Sequence, residues 1–182
     1  VPLATPDQVT AAIDAAERAH EASTLSAYER YELLEQTADL LEDDADHVAN
    51  VLTSEQGKPI TEARGEVDRA VQTLQLSAEQ AKRMFGEYVP MDAQKGFTRD
   101  HCFTQRESLG VVAAITPFNF PINLMVHKVG PALAAGNAVV GKPASNTPLV
   151  SVLLFEYLQE AAEAVGAPDG LVNLVTGSGS TV

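Results

Sequence analysis

The chain has 182 residues, 45% of them apolar, and a net charge of −13. That length and apolar share suffice for a buried core and exclude a disordered chain, and no apolar run reaches the roughly 20 residues of a membrane-spanning helix. No basic stripe exists, which argues against a nucleic-acid partner. The acidity is uneven: residues 1–100 hold 20 acids and 9 bases, residues 101–182 only 5 and 3. A solvated acidic face is the ordinary meaning of such a bias. Five lysines beside ten aspartates and fifteen glutamates also fit adaptation to high salt, where self-repulsion is screened over roughly 3 Å at 1 M. The single Cys102 excludes an internal disulfide framework and points to a cytoplasmic protein. No charged-then-apolar leader opens the chain, and Val1 in first place fits a trimmed or partial chain.

The first half reads as helices. Thr5 followed by Pro6 is a helix start, with the helix running to about Ala22. Ser26 and Glu29 form a capping box for a second helix, whose apolar face is Tyr31, Leu33, Leu34, Ala38 and Leu41. The acids at 43–46 interrupt it. A third helix carries Val48, Val51 and Leu52 to a stop at Gly57-Lys58-Pro59, and a fourth runs from about Ile60 to Phe85, closed by Gly86. Residues 87–105 change character. Tyr88, Val89 and Met91 predict a short strand, 92–96 a turn, and 97–105 a second strand. Phe97, Arg99, His101 and Phe103 share one face of that strand, and Thr98, Asp100, Cys102 and Thr104 the other. A two-stranded ribbon of this kind is marginal alone.

The second half alternates strand and helix. Residues 110–116 are a continuous small apolar run, the pattern of a strand covered on both faces. Pro117 ends it, and Phe118-Asn119-Phe120-Pro121 follows. Residues 122–135 carry helical periodicity, with Gly136 at the stop; 138–141 is a second buried strand, closed by Lys142-Pro143. Thr147-Pro148 predicts the cap of a helix running to Val165. Gly166 stops it, and Asp169-Gly170 turns into a third strand over 171–175. This alternation predicts a Rossmann-like, doubly wound parallel α/β sheet, which takes its ligands at the carboxyl ends of the strands. Those ends carry Asn119 and Lys142. By residue type alone each has two meanings. Asn119 is either a neutral donor suited to a developing oxyanion or an amide that satisfies a turn. Lys142 either reaches ribose hydroxyls or a phosphate, or is a surface charge. Gly177 and Gly179 after a strand fit a dinucleotide turn or a merely flexible one. Cys102, His127 and Lys128 have no pattern of a reactive group around them, and no His/Cys spacing supports a metal site.

TPFNFP, then KVGPALAAGNAVVGKPAS, then TP, together with the upstream SEQGKPITEARGEV, resemble the aldehyde dehydrogenase superfamily. The likeness covers nearly the whole chain. It implies the N-terminal, cofactor-binding portion of an NAD(P)-dependent enzyme that oxidises an aldehyde or semialdehyde to an acid through a thiohemiacetal. It also implies that the nucleophilic cysteine and the general-base glutamate lie beyond Val182. Residues 1–86 would be the helical part of the cofactor domain. Residues 87–105 would be a hairpin arm of a homo-oligomer, and 106–182 the βαβαβ cofactor-binding segment. Asn119 falls where the family has its oxyanion-hole asparagine. Ile115, Thr116, Pro117 and Phe118 fall at the nicotinamide end, and Lys142, Pro143, Ala144 and Ser145 at the adenosine ribose, with Gly177 and Gly179 nearby. Many NAD-preferring members have a glutamate where Ser145 stands; its absence here removes a charge that would repel the NADP phosphate. Two other readings share these motifs: a nucleotide-binding or oligomerising fragment without turnover, and an acyl-phosphate or acyl-CoA reductase of the same superfamily.

Overall fold

The computed structural model describes residues 1–97 and 101–179. Four helices come first: α1 (Pro6–Ala22), α2 (Ala27–Asp43), α3 (Ala45–Gln56) and α4 (Ile60–Ala81). The predicted caps form. Thr5 Oγ1 accepts from the Gln8 amide at 3.3 Å and Gln8 Oε1 accepts from the Thr5 amide at 2.9 Å; Ser26 and Glu29 do the same at 3.2 and 2.7 Å. Each such cap stabilises its helix by about 1 kcal/mol. Helix α4 stops at Ala81, short of the expected Phe85. Ala81 is its last buried position, whereas Phe85 is exposed, so nothing is gained by a further turn.

The ribbon is smaller than expected. Strand β1 (Tyr88–Pro90) pairs antiparallel with β2 (His101–Phe103), Tyr88 facing Phe103 and Pro90 facing His101. Pro90 has no N–H to continue the ladder, and residues 91–93 wind into a 3-10 turn instead of extending the strand. The expected strand positions Thr98, Arg99 and Asp100 lie outside the described residues.

The sheet follows: β3 (Val111–Ile115), α5 (Pro121–Ala134), β4 (Ala138–Lys142), α6 (Leu149–Ala164) and β5 (Val172–Leu174). Its strands are parallel in the order β3-β4-β5, with Val112 beside Val139 and Val140 beside Asn173. Every residue of β4 is buried, as the central strand must be. Helices α5 and α6 pack on the strands they join. Helix α1 lies against all three strands, and α2 and α4 stack behind α5 and α6. Leu33, Leu34, Leu74, Ile122, Met125 and Leu154 fill this layer with under 2% exposure. Burying each such side chain contributes roughly 1.5–3 kcal/mol. Close approach depends on Gly141: a Cβ there would lie 2.4 Å from Phe155 Cζ of α6. Gly136, at φ +81°, stops α5 in the left-handed conformation expected of it. Among the described residues no helix is long and apolar enough to cross a membrane.

Thr147 does not cap α6. It is buried, and its hydroxyl has no hydrogen-bond partner among the described residues. The cap comes from α3 instead: Glu55 Oε1 accepts from the Leu149 amide at 2.5 Å and Oε2 from Val150 at 3.3 Å. Burial raises the Glu55 pKa above the usual carboxylate value, against the two amides, which lower it. A carboxyl whose folded pKa exceeds its unfolded one adds stability in acid and loses it as pH rises through the folded pKa. Glu55→Gln keeps an acceptor without the charge. It is expected to match or exceed the parent in urea melts at neutral pH, and to lose that advantage as the pH falls to the carboxyl range. Glu55→Ala, with no acceptor, should cost about 1 kcal/mol at both.

Candidate functional site

Parallel pairing brings the ends of β3, β4 and β5 to one edge, and hydrogen bonds stitch the loops that leave them. The Thr116 amide donates to the Lys142 carbonyl at 3.1 Å, and the Val175 amide to the Gly141 carbonyl at 2.9 Å. Ser145 Oγ donates to the Gly177 carbonyl at 3.0 Å. The residues singled out from the sequence therefore share one rim. Ile115 and Phe118 turn 57% and 55% of their surface outward, a large apolar area for a strand end. Pro117, Asn119, Ser145 and Gly179 are exposed, Ala144 is half-buried, and Pro143 and Gly177 are buried. Lys142 is not a surface charge: it is 7% exposed, and its ammonium donates to the Pro143 carbonyl at 3.0 Å. An ammonium has three donors, so capacity remains for an outside acceptor. Thr116 is also buried, and its hydroxyl has no partner among the described residues. His127 and Lys128 are exposed on α5, and Cys102 lies on β2 opposite Val89. A cavity of about 500 Å³ opens at the other edge of the sheet, beside Arg30, Arg106 and Asn137. The carboxyl edge is the better candidate, because open α/β sheets gather their ligand loops there.

The turn at 117–120 is clamped from behind. Gln56 Nε2 donates to the Phe118 carbonyl at 2.7 Å and to the Asn119 carbonyl at 2.9 Å. Lys58 Nζ lies 3.4 Å from the Asn119 carbonyl and 4.7 Å from the Phe120 ring centroid; the Arg69 guanidinium approaches the same ring at 5.7 Å. Beneath them sits Glu66, wholly buried on α4. Its Oε2 pairs with the Lys58 ammonium, and its Oε1 accepts from the Ile122 and Asn123 amides at 3.1 and 3.2 Å. These are free donors of the first turn of α5, where Phe120 offers no side-chain cap. A carboxylate from another helix thus caps α5 and complements its positive end. The Asn119 amide group has no hydrogen-bond partner among the described residues, so the clamp holds its backbone and leaves its donor outward.

The turn, the buried lysine and the parallel strand ends lie together along the carboxyl edge of one α/β unit. Residues 1–182 match the aldehyde dehydrogenase family throughout, and the chain belongs to that family. It is 49% identical over 182 residues to the 3-sulfolactaldehyde dehydrogenase of Priestia aryabhattai, covering 100% of this chain and 37% of that one. Its fold superposes on the crystal structure of the glyceraldehyde-3-phosphate dehydrogenase GapN from Methanocaldococcus jannaschii complexed with NADP, with a TM-score of 0.93 and 38% identity, over 100% of this chain and 39% of that one. It is similar also to PnpE from Pseudomonas sp. WBC-3, solved as well in complex with nicotinamide adenine dinucleotide. There the TM-score is 0.89 and the identity 38%, over 100% and 36% of the two chains. The chain thus spans little more than a third of the length of these relatives.

Sequence reasoning missed Gln56, Lys58 and Glu66 as parts of the site. One signal was available. Ala63, Val67, Ala70 and Leu74 form the buried stripe of α4, and Glu66 falls within it. A carboxylate on an apolar stripe must find partners in the interior. Removing one member of such a pair leaves an uncompensated buried charge, whereas replacing both is often nearly neutral. Glu66→Ala is therefore expected to destabilise the protein by about 3–5 kcal/mol, and Lys58→Met with Glu66→Gln to recover more than half of that, as read from urea unfolding midpoints and slopes.

Proposed function

We propose that this chain is the N-terminal, cofactor-binding part of an NAD(P)-dependent aldehyde dehydrogenase acting on a small aldehyde or semialdehyde. The observation that carries this reading is the Asn119 amide, unpaired among the described residues and exposed on a clamped turn, on the same rim as Lys142. The residues present fit a nicotinamide dinucleotide. Ile115, Pro117 and Phe118 offer an apolar surface, the unpaired Thr116 hydroxyl lies beneath them, and Lys142 brings spare donors to the neighbouring strand end. Ile115 to Phe118 would hold the nicotinamide end. Lys142, Pro143, Ala144 and Ser145 would hold the adenosine ribose, with Gly177 and Gly179 at the adjoining loop. The bound cofactor supplies a hydride acceptor. Asn119 supplies the chain's own contribution, a neutral donor aimed where negative charge develops on the aldehyde oxygen. A neutral group stabilises that charge without quenching a nearby nucleophile, and loss of one such donor lowers rates on the order of 100- to 1000-fold.

The names of the relatives support a substrate class of short, polar aldehydes, such as sulfolactaldehyde and glyceraldehyde 3-phosphate. Residues 87–105 are read as the arm of a homo-oligomer: Tyr88 and Phe103 of the ribbon are 62% and 75% exposed, and so open an apolar edge is stabilised by a second surface. In the complete enzyme, Asn119→Ala should lower the single-turnover rate by roughly 100-fold while leaving cofactor affinity nearly unchanged. A rate within threefold of the parent in a stopped-flow burst would remove the oxyanion role.

Cofactor choice rests on the rim charge. Ser145, which the family resemblance puts at the adenosine ribose, gives its hydroxyl hydrogen to the Gly177 carbonyl and so has none left to donate to a ribose. What remains is the absence of a carboxylate beside a lysine. The enzyme is therefore expected to use NADP at least as well as NAD. A unit-charge pair at 4 Å in water is worth about 1 kcal/mol, so Ser145→Glu should move the kcat/KM ratio several-fold, up to about tenfold, towards NAD. Steady-state kinetics with both cofactors at fixed salt measure this, and an unchanged ratio would show that Ser145 does not face the ribose.

A further inference from the structure

We infer that Glu66, acting through Lys58, is a positioning residue that sets the aim of the Asn119 amide. The inference rests on the oxyanion role proposed above for Asn119, and extends it to side chains that touch neither substrate nor cofactor. Asn119 stands in a turn bracketed by Pro117 and Pro121, and its amide has no protein partner among the described residues. Its direction therefore follows the backbone of the turn and the rotamers that backbone allows, with no protein hydrogen bond to the amide itself among the described residues. That backbone is held at two levels by one corner of the molecule, residues 56–66. Gln56 and Lys58 take the carbonyls of Phe118 and Asn119. Glu66 takes the first free amides of α5, immediately after the turn, and binds Lys58 with its other oxygen. One buried carboxylate so ties the end of the turn to the cation that grips its middle. Phe120 closes the unit, its ring lying under Lys58 and Arg69.

Glu66, 0% exposed and bonded to the Lys58 ammonium, leaves no unpaired buried charge behind the turn. Positional errors of about 1 Å in a donor such as the Asn119 amide cost on the order of 100-fold in rate, so a clamp this far from the chemistry has kinetic weight.

The experiment is a double-mutant cycle in the complete enzyme, with the burst of reduced cofactor counted per titrated active site. Lys58→Met with Glu66→Gln removes the charge pair together and keeps an acceptor for the α5 amides. Expected is a fall of at least about tenfold in burst rate with cofactor affinity within about twofold, and a further fall of less than about twofold when the same pair is changed in the Asn119→Ala background. A role confined to stability would lower the melting temperature and the number of titrated sites but not the rate per site. An unchanged rate per site, or the same fold-loss in both backgrounds, overturns the inference. If Asn119→Ala alone leaves the burst unchanged, the oxyanion reading itself has failed and the inference falls with it. Gln56→Met, which buries no charge, provides a second arm should the paired variant not fold: it too should lose rate only where Asn119 is present.

Discussion

A carboxylate with no access to water requires partners for its charge, and the partners of Glu66 tie α4 to two neighbouring segments. Its two oxygens join α4 to the start of α5 and to the corner between α3 and α4. These are the elements that flank the turn carrying Asn119. Burying a single ion costs several kcal/mol even after relaxation, so the arrangement holds only while the ammonium and both amides are in place. The backbone of the turn at 117–120 is thereby anchored through several side chains at once. The same logic recurs at Glu55, whose carboxylate caps α6 from α3. Two helices of the α/β half therefore begin on acids supplied by the helical half.

The other edge of the sheet is tied differently. Asn137, 3% exposed, accepts from the Leu109 and Gly110 amides at 2.6 and 3.1 Å and donates to the Ala132 carbonyl at 2.9 Å. Arg30 adds bonds to the Ala134 and Leu25 carbonyls. Here neutral amides and a guanidinium fasten backbone to backbone, closing α5 onto the start of β3. At the carboxyl edge an apolar surface at Ile115 and Phe118 and the spare donors of Lys142 are left open.

Charge elsewhere contributes little to holding the fold. The described surface ion pairs, Arg64 with Asp46 and Glu79 with Lys82 and Arg83, are solvent-exposed to differing degrees, and pairs of this kind are worth at most about 1 kcal/mol. Crowding of acids is visible at Glu35, whose pKa is raised by burial first and then by the charges of Asp39 and Glu79. The acidic excess thus acts as a solvated and mildly self-repelling coat, while the few buried charges do the positioning.

The amino-acid sequence alone determined the helix caps at Thr5 and Ser26, the left-handed stop at Gly136, the parallel strands around 111–115 and 138–142, and the gathering of Asn119 and Lys142 at one edge. These follow from local rules: a capping side chain, a missing Cβ, an unbroken apolar run, and the single direction of a βαβ unit. Tertiary structure decided what local rules cannot reach. Helix α4 ended where burial ended, at Ala81, although its periodicity continued. The cap of α6 came from Glu55, 94 residues away, and left the adjacent Thr147 hydroxyl unpaired among the described residues. Lys142, which by type belongs on the surface, became buried because β4 is the middle strand of the sheet. Ser145 gave its hydrogen to Gly177 across a strand boundary. The clamp of Gln56, Lys58 and Glu66 spans about 60 residues of chain. A charged side chain buried at long range finds its partners only when the packed helices bring them together, and for that reason only the folded molecule could show which residues hold Asn119 in place.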